Sequence, residues 1–155
     1  MQRKGKNMKE LKHLGAYGLL IQNEKILLIK KATGPYQGKL DLPGGTIEFC
    51  EKPDKALKRE LKEETGIKVT NYKLFDVDSV TLNWEYKKDL IKVHHVGIFY
   101  QILNYEDNIK SKIETNEIND DSLGASFYEI KKLTKNKLSA IAILELTKQG
   151  YTIIN

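Results

Sequence analysis

The sequence predicts one α/β (α+β) domain in which a β-sheet is covered on both faces by helices. Three observations carry that expectation. At 155 residues the chain is the size of a single domain, able to bury roughly 68–70% of the surface its unfolded form exposes. The run Lys25–Lys31 sets Ile26 and Leu28 on one side of a strand and Leu27 and Ile29 on the other, so both faces need cover. From Pro53 to Gly66 the chain carries the punctuation of a helix. No internal repeat or linker divides the chain, so residues 1–12 read as a basic tail and 13–155 as one domain.

The elements follow in order. Leu11–Ile21 and Lys25–Lys31 are apolar runs separated by Gln22-Asn23-Glu24, which predicts an antiparallel pair. A polar connection over Lys31–Gly38 leads to a short extended stretch at Leu40–Leu42, which Pro43-Gly44-Gly45 ends. Pro53 suits a first helical turn and Asp54 its positive end, while Gly66 suits the left-handed position past the last turn, predicting a helix over 53–65. Lys68–Leu82 and Lys92–Leu103 read as extended, the second with apolar residues on both faces like a central strand. Asn104–Asp121 is polar and acid-rich without periodicity, which suggests a functional loop. Ser126–Ile130 reads as a last strand, and Ser139 caps a helix over Ala140–Gln149 that Gly150 stops.

Composition limits the function classes. With 40% hydrophobic and 30% charged residues, and no apolar run near the ~20 residues that a membrane helix needs, disordered and membrane-spanning classes drop out. The net charge is +5, yet Arg3, Lys4, Lys6, Lys9 and Lys12 against Glu10 place +4 of it in the first twelve residues. A nearly neutral body with a basic tail is a poor footprint for nucleic acid, and no aromatic residues interleave with that tail. Cys50 is the only cysteine and cannot staple its own chain, which fits a reducing, cytoplasmic setting. The basic start before Leu14–Ile21 resembles a secretory signal, but Gln22-Asn23-Glu24-Lys25 follows where a small-residue cleavage site would stand.

Chemistry concentrates on the first helix. At about 100° per residue, Glu60, Glu63 and Glu64 share an arc of roughly 100°. Leu57 and Leu61 form the neighbouring apolar stripe, and Lys55, Lys58 and Lys62 fall on the far side, poorly placed to neutralise the acids. Like charges at these spacings destabilise a helix by a few tenths of a kcal/mol per pair, which a divalent cation would reverse. A glutamate-rich helix face is ordinarily just solvated. Here Pro43-Gly44-Gly45 lets a backbone carbonyl approach the same place, and Mg²⁺ or Mn²⁺ takes such oxygen ligands.

Between Gly45 and Ile67 the chain reads Gly45, five residues, Glu51, seven residues, Arg59-Glu60-Leu61, one residue, Glu63-Glu64, one residue, Gly66-Ile67. That segment resembles the signature box of the Nudix hydrolases (MutT-like) with every fixed position present. Typical residue usage puts a chance match on the order of 10⁻⁹ per starting point. The resemblance implies an α/β/α sandwich with a mixed β-sheet between helices. It also implies hydrolysis of a pyrophosphate linkage in a nucleoside diphosphate joined to another group, such as a nucleoside triphosphate, dinucleotide or nucleotide sugar. In that family Glu60 and Glu64 would ligate Mg²⁺ (or Mn²⁺), Glu63 would assist as ligand or water-positioning base, and the Gly44 or Gly45 carbonyl would complete the shell. Arg59, counted with the catalytic group, would pair with Glu51 to fix loop against helix, and Gly66 completes the box. Leu40 and Cys50 depart from the common pattern, where tryptophan and glycine often stand, which bears on the shape of the cleft. A further acid often comes from a later loop, and Glu114, Glu117, Asp120 and Asp121 all qualify.

The remaining candidates are weaker. Tyr36, Trp84 and Tyr86 lie in or near connections where a ring could stack on a nucleobase, although packing explains each one alone. His94 and His95 point to opposite faces of a strand and cannot easily share a metal, so packing or hydrogen bonding is the plainer role, and His13 is less informative. Cys50 has no evident basic partner and reads as an inert loop thiol. No Walker loop, HExxH or G-x-S-x-G elbow is present. The rival to a hydrolase is a non-catalytic nucleotide-binding or sensor module with the same fold, which would not need three crowded acids. A small nucleotide-type molecule is the expected partner in either case, no membrane is expected, and a homodimer is compatible with the sequence.

Overall fold

A computed structural model describes residues 8–109 and 122–155. Lys9–Leu19 forms strand β1, Ile21–Gln22 β2, Lys25–Lys31 β3, Leu40–Asp41 β4 and Gly44–Thr46 β5. Helix α1 spans Pro53–Thr65, strands β6 and β7 span Lys68–Tyr86 and Asp89–Glu106, β8 spans Ser122–Glu129, and α2 spans Ala140–Lys148. Two four-stranded sheets result. In the first, in the order β5-β1-β7-β6, β1 runs parallel to β7 and the other pairings are antiparallel, so it is mixed. In the second, β3 lies between β8 on one side and β2 and β4 on the other.

The two apolar runs at the start do not form the simple hairpin that their spacing predicts. The first run breaks at Leu20, and only Ile21–Gln22 turns back onto Lys25-Ile26, through Asn23 and Glu24 at φ 50° and 61°. The longer piece, Lys9–Leu19, instead pairs along its whole length with Lys9↔Ile91 through Leu19↔Gln101. Local turn chemistry competed with a long partner strand, and the strand was worth far more hydrogen bonds. The strand begins at Lys9, so the last four residues of the segment that charge alone marks as a tail are paired strand residues.

Both helices form where their residues predict, while β6 runs on to Tyr86, β8 covers Ser122–Glu129 rather than Ser126–Ile130, and Gly44–Thr46 pairs as a strand past the Pro43 break. Helix α1 has Pro53 in its first turn, and Gly66 takes the left-handed conformation at φ 81°, its N–H donating to the Lys62 carbonyl. Ser139 caps α2 by accepting from the Ala142 N–H, and Gly150 at φ 96° ends that turn. Strand β7 runs three residues past the expected end at Leu103, and the two long strands β6 and β7 turn on Lys87-Lys88 with φ 47° and 68°. The rest of the acid-rich loop, with Glu114, Glu117, Asp120 and Asp121, lies outside the described residues.

Alternation on β3 divides the core as its sequence dictates. Leu27 and Ile29 join Ala56, Leu57 and Leu61 of α1, whereas Ile26 and Leu28 join Phe99 and the α2 residues Ile141, Ala142 and Leu146. All eleven of these side chains are fully buried, which on general grounds stabilises the larger ones by about 1.5–3 kcal/mol each. The sheets thus lie between two helices, one on each outer side. Among the described residues, no helix is long and apolar enough to cross a membrane.

Candidate active site

The helix α1 and the Gly44-Gly45 strand converge because each fills space the other leaves. Gly44 stands at φ 142°, and a Cβ there would collide with the Ala16 carbonyl oxygen on β1. Its N–H donates to Glu64 Oε1 at 2.8 Å. A Cβ on Gly45 would stand 2.9 Å from the Glu60 carboxyl group, so the bare backbone is what lets that carboxyl sit against the strand.

Arg59 clamps the intervening loop. Its Nε donates to Glu51 Oε2 and its Nη2 to Glu51 Oε1, both at 2.8 Å, and Nη2 also reaches the Thr46 carbonyl at 3.1 Å. Its third arm, Nη1, donates to Glu60 Oε1 at 2.9 Å and stands 3.6 Å from Glu63 Oε2. The bidentate arrangement is the strong form of an ion pair. Arg59 holds the Glu51 carboxyl far below its usual range, at about 2. The lysines do stand away from the acids, with Lys62 on Asp107 and Lys58 over the Tyr72 ring. Arg59 corrects the picture of uncompensated glutamates, because it neutralises part of their charge from within the same helix.

The three glutamates differ in exposure. Glu64 is buried at 4%, whereas the side chains of Glu60 and Glu63 are 16% and 54% exposed. Burial pushes the Glu64 carboxyl well above the ordinary range, with the Glu60 and Asp41 charges adding to it. Burial also raises Glu60, against the pull of Arg59, and Glu63 adds to the rise. Such crowding and desolvation are what a bound cation relieves. Among the described residues no three acid, histidine or cysteine side chains already form a ligand cage, and Glu60 is engaged by Arg59. The donor set nonetheless fits a hard divalent ion: carboxylate oxygens and backbone converge on one cavity, and the buried acids are destabilised by their own charge.

That cavity measures about 580 Å³. Glu60, Glu63, Glu64, Gly44, Gly45 and Arg59 line it, and so do the uncharged side chains of His13, Tyr36 and Val93. Tyr36 is therefore placed on the cavity, while Trp84 and Tyr86 stack on each other at 4.9 Å towards the turn of the β6–β7 hairpin and are not among its lining residues. His95 is buried and lines the cavity, and His94 faces solvent on the opposite side. Cys50 is exposed, with φ at +64° in the left-handed region that glycine would occupy without strain.

Several cavity residues were not legible from spacing. Tyr17, Lys31 and Asp41 all line it. Asp41 is buried and accepts from Ser139 Oγ at 2.6 Å and from the Leu42 N–H at 2.8 Å, which ties the cap of α2 to the cavity wall. A buried Asp next to Pro-Gly-Gly was the one available signal.

The mixed sheet between helices is shared by known proteins. A NUDIX domain matches residues 11–145, and the chain belongs to that family. Over 50 residues, 32% of this chain and 30% of the other, it is 46% identical to an ADP-ribose pyrophosphatase of Methanocaldococcus jannaschii. Over 56 residues, 36% of this chain and 43% of the other, it is 39% identical to an 8-oxo-dGTP diphosphatase of Escherichia coli. These matches span less than half the length of either curated relative. In fold the chain is similar to a MutT NUDIX hydrolase from Burkholderia pseudomallei, with a TM-score of 0.69 at 22% identity over 88% of this chain and 96% of that one. A MutT protein from Methanosarcina mazei gives a TM-score of 0.60 at 18% identity over 94% and 100% of the two chains.

Proposed function

We propose that this chain is a metal-dependent hydrolase that cleaves a pyrophosphate linkage in a nucleoside diphosphate joined to a further group. Nucleoside triphosphates, dinucleotides and nucleotide sugars all fall within that class. The observation that carries the reading is the shared cavity, where Glu60, Glu63 and Glu64 meet the Gly44-Gly45 backbone and which His13, Tyr36 and Val93 also line. The two curated relatives are named for pyrophosphatase and diphosphatase activities on ADP-ribose and 8-oxo-dGTP, which share this bond class.

The division of labour follows from exposure and charge. Glu60 and Glu64, with the Gly44 or Gly45 carbonyl, would hold Mg²⁺ or Mn²⁺. Bound there, the ion supplies charge neutralisation on non-bridging phosphate oxygens and a more acidic water. Glu63 is the most exposed of the three acids and is free of a close hydrogen bond to Arg59, so it suits the base that takes a proton from the attacking water. Arg59 acts as a positioning residue: two of its arms hold Glu51 and the third orients Glu60. Lys31 brings positive charge to the cavity, where its field is felt by Glu64, Glu60 and both cavity histidines. The uncharged side chains of Tyr36 and Val93 suit the uncharged part of the substrate.

A panel of nucleoside triphosphates, dinucleotides and nucleotide sugars, assayed for phosphate or pyrophosphate release with Mg²⁺ or Mn²⁺, tests this reading. Turnover of at least one member, abolished by excess chelator and restored by the metal, is expected. Turnover undiminished in chelator would overturn the metal assignment, and binding without turnover of any member would favour a sensor module.

A further inference from the structure

Three side chains that line the cavity are hydrogen-bonded in a chain. His95 sits between two tyrosines: Tyr17 Oη lies 2.6 Å from its Nε2 and Tyr36 Oη lies 2.9 Å from its Nδ1. The strand register explains how Tyr17 reaches it. Tyr17 and Phe99 are paired on β1 and β7, Gly15 and Gly97 form the next row, and His13 and His95 the row after that. Both rings fold back over the bare glycine row. A Cβ on Gly15 would stand 2.5 Å from the Tyr17 hydroxyl, and one on Gly97 would collide with the Phe99 ring. His13 stacks on His95 at 4.5 Å and 10°, closing the ring from the other side.

Proton counting restricts what this chain can do. Burial and the nearby charges of His13 and Lys31 hold His95 far below its ordinary range, at about 3, so the ring is neutral. A neutral imidazole has one N–H and one bare nitrogen. One tyrosine must therefore donate to it and the other must accept from it, and only the accepting tyrosine keeps a hydroxyl proton for any third group. Tyr17 lines the cavity with Asp41, Glu60 and Glu64; the Asp41 charge reaches both tyrosine hydroxyls, whereas those of Glu60 and Glu64 reach Tyr17. Negative charge on Glu60 and Glu64 draws the spare proton to Tyr17. Positive charge drives it back through His95 to Tyr36.

We propose that His95 is a positioning residue whose tautomer couples the charge of these acids to the hydrogen-bond polarity of Tyr36. With the acids metal-free, Nε2–H donates to Tyr17 and Tyr36 is spent on Nδ1, leaving Tyr36 an acceptor. With a divalent cation bound, Tyr17 donates to Nε2, Nδ1–H donates to Tyr36, and Tyr36 has a proton to offer. The loaded cavity then selects a substrate whose uncharged ring presents an acceptor, such as a carbonyl oxygen or bare ring nitrogen, to Tyr36. This inference rests on the metal reading given above.

Long-range ¹H–¹⁵N spectra of the imidazole groups report the tautomer directly and need no turnover. Wild-type protein is titrated with MgCl₂ alone while thermal stability is followed in parallel. The expected result is a conversion of the His95 signal from the Nε2–H to the Nδ1–H pattern, saturating with the same midpoint as the rise in Tm. Tyr17→Phe, which keeps the ring, should bind Mg²⁺ and show no conversion. A rise in Tm with an unmoved His95 tautomer would overturn the coupling and leave the metal reading intact. No change in Tm and no conversion would overturn both, and conversion persisting in Tyr17→Phe would show that the relay does not run through Tyr17.

Discussion

Glu145 on α2 is fully buried, and among the described residues neither carboxyl oxygen has a hydrogen-bond partner. Asp76, Asp78 and Lys148 face it, with Lys148 Nζ 2.6 Å from Asp76 Oδ2 and in contact with Asp78. Burial above all, with the nearby Asp76 and Asp78 carboxylates adding to it, raises the Glu145 carboxyl from 4.5 to about 8. A folded state that binds this proton more tightly than the unfolded chain is most stable below the unfolded value and loses stability as pH rises towards the folded one. The slope is about 1.4 kcal/mol per pH unit between 4.5 and about 8. By pH 7 the loss is on the order of 3 kcal/mol, a large part of a typical domain's stability. Glu145→Gln keeps the shape, stays neutral and can donate an amide N–H to Asp76. Urea unfolding from pH 5 to pH 8 should show the wild type declining steadily and the variant nearly level by comparison, with the variant more stable by about 2–3 kcal/mol at pH 7. Parallel pH profiles, or a variant less stable at every pH, would refute the reasoning.

Three further outcomes are expected. Glu64→Gln still accepts from the Gly44 N–H, so the melting temperature without metal should hold or rise, while kcat falls by about 10²–10³-fold in a Mg²⁺ assay. Arg59→Ala releases Glu51, Glu60 and the Thr46 carbonyl together, so calorimetry should show Tm lower by several degrees as well as a slower rate, unlike the purely kinetic defect at Glu64. Cys50→Gly relieves the left-handed backbone at an exposed position, and chemical denaturation should show a gain of about 0.5–1 kcal/mol once the greater freedom of unfolded glycine is counted.

The sequence by itself determined what depends on neighbours along the chain. Helix α1 and its cap, the shared face of Glu60, Glu63 and Glu64 and the two-faced character of β3 all follow from periodicity and turn chemistry, while the pairing of Arg59 with Glu51 was an implication of the Nudix resemblance that the structure bears out. What only the tertiary structure decided depends on partners far apart in sequence. Leu11–Ile21 looked like one arm of a local hairpin, but its register with residues 91–101 outweighed the turn at Asn23-Glu24. Tyr17, His95 and Tyr36 are separated by 78 and 59 positions, and no local pattern marks them as one group. They meet because two glycines fall side by side on parallel strands, and a bare patch on a sheet exists only once the strands have paired. Periodicity shows which face a side chain takes; the register of distant strands decides what it meets there.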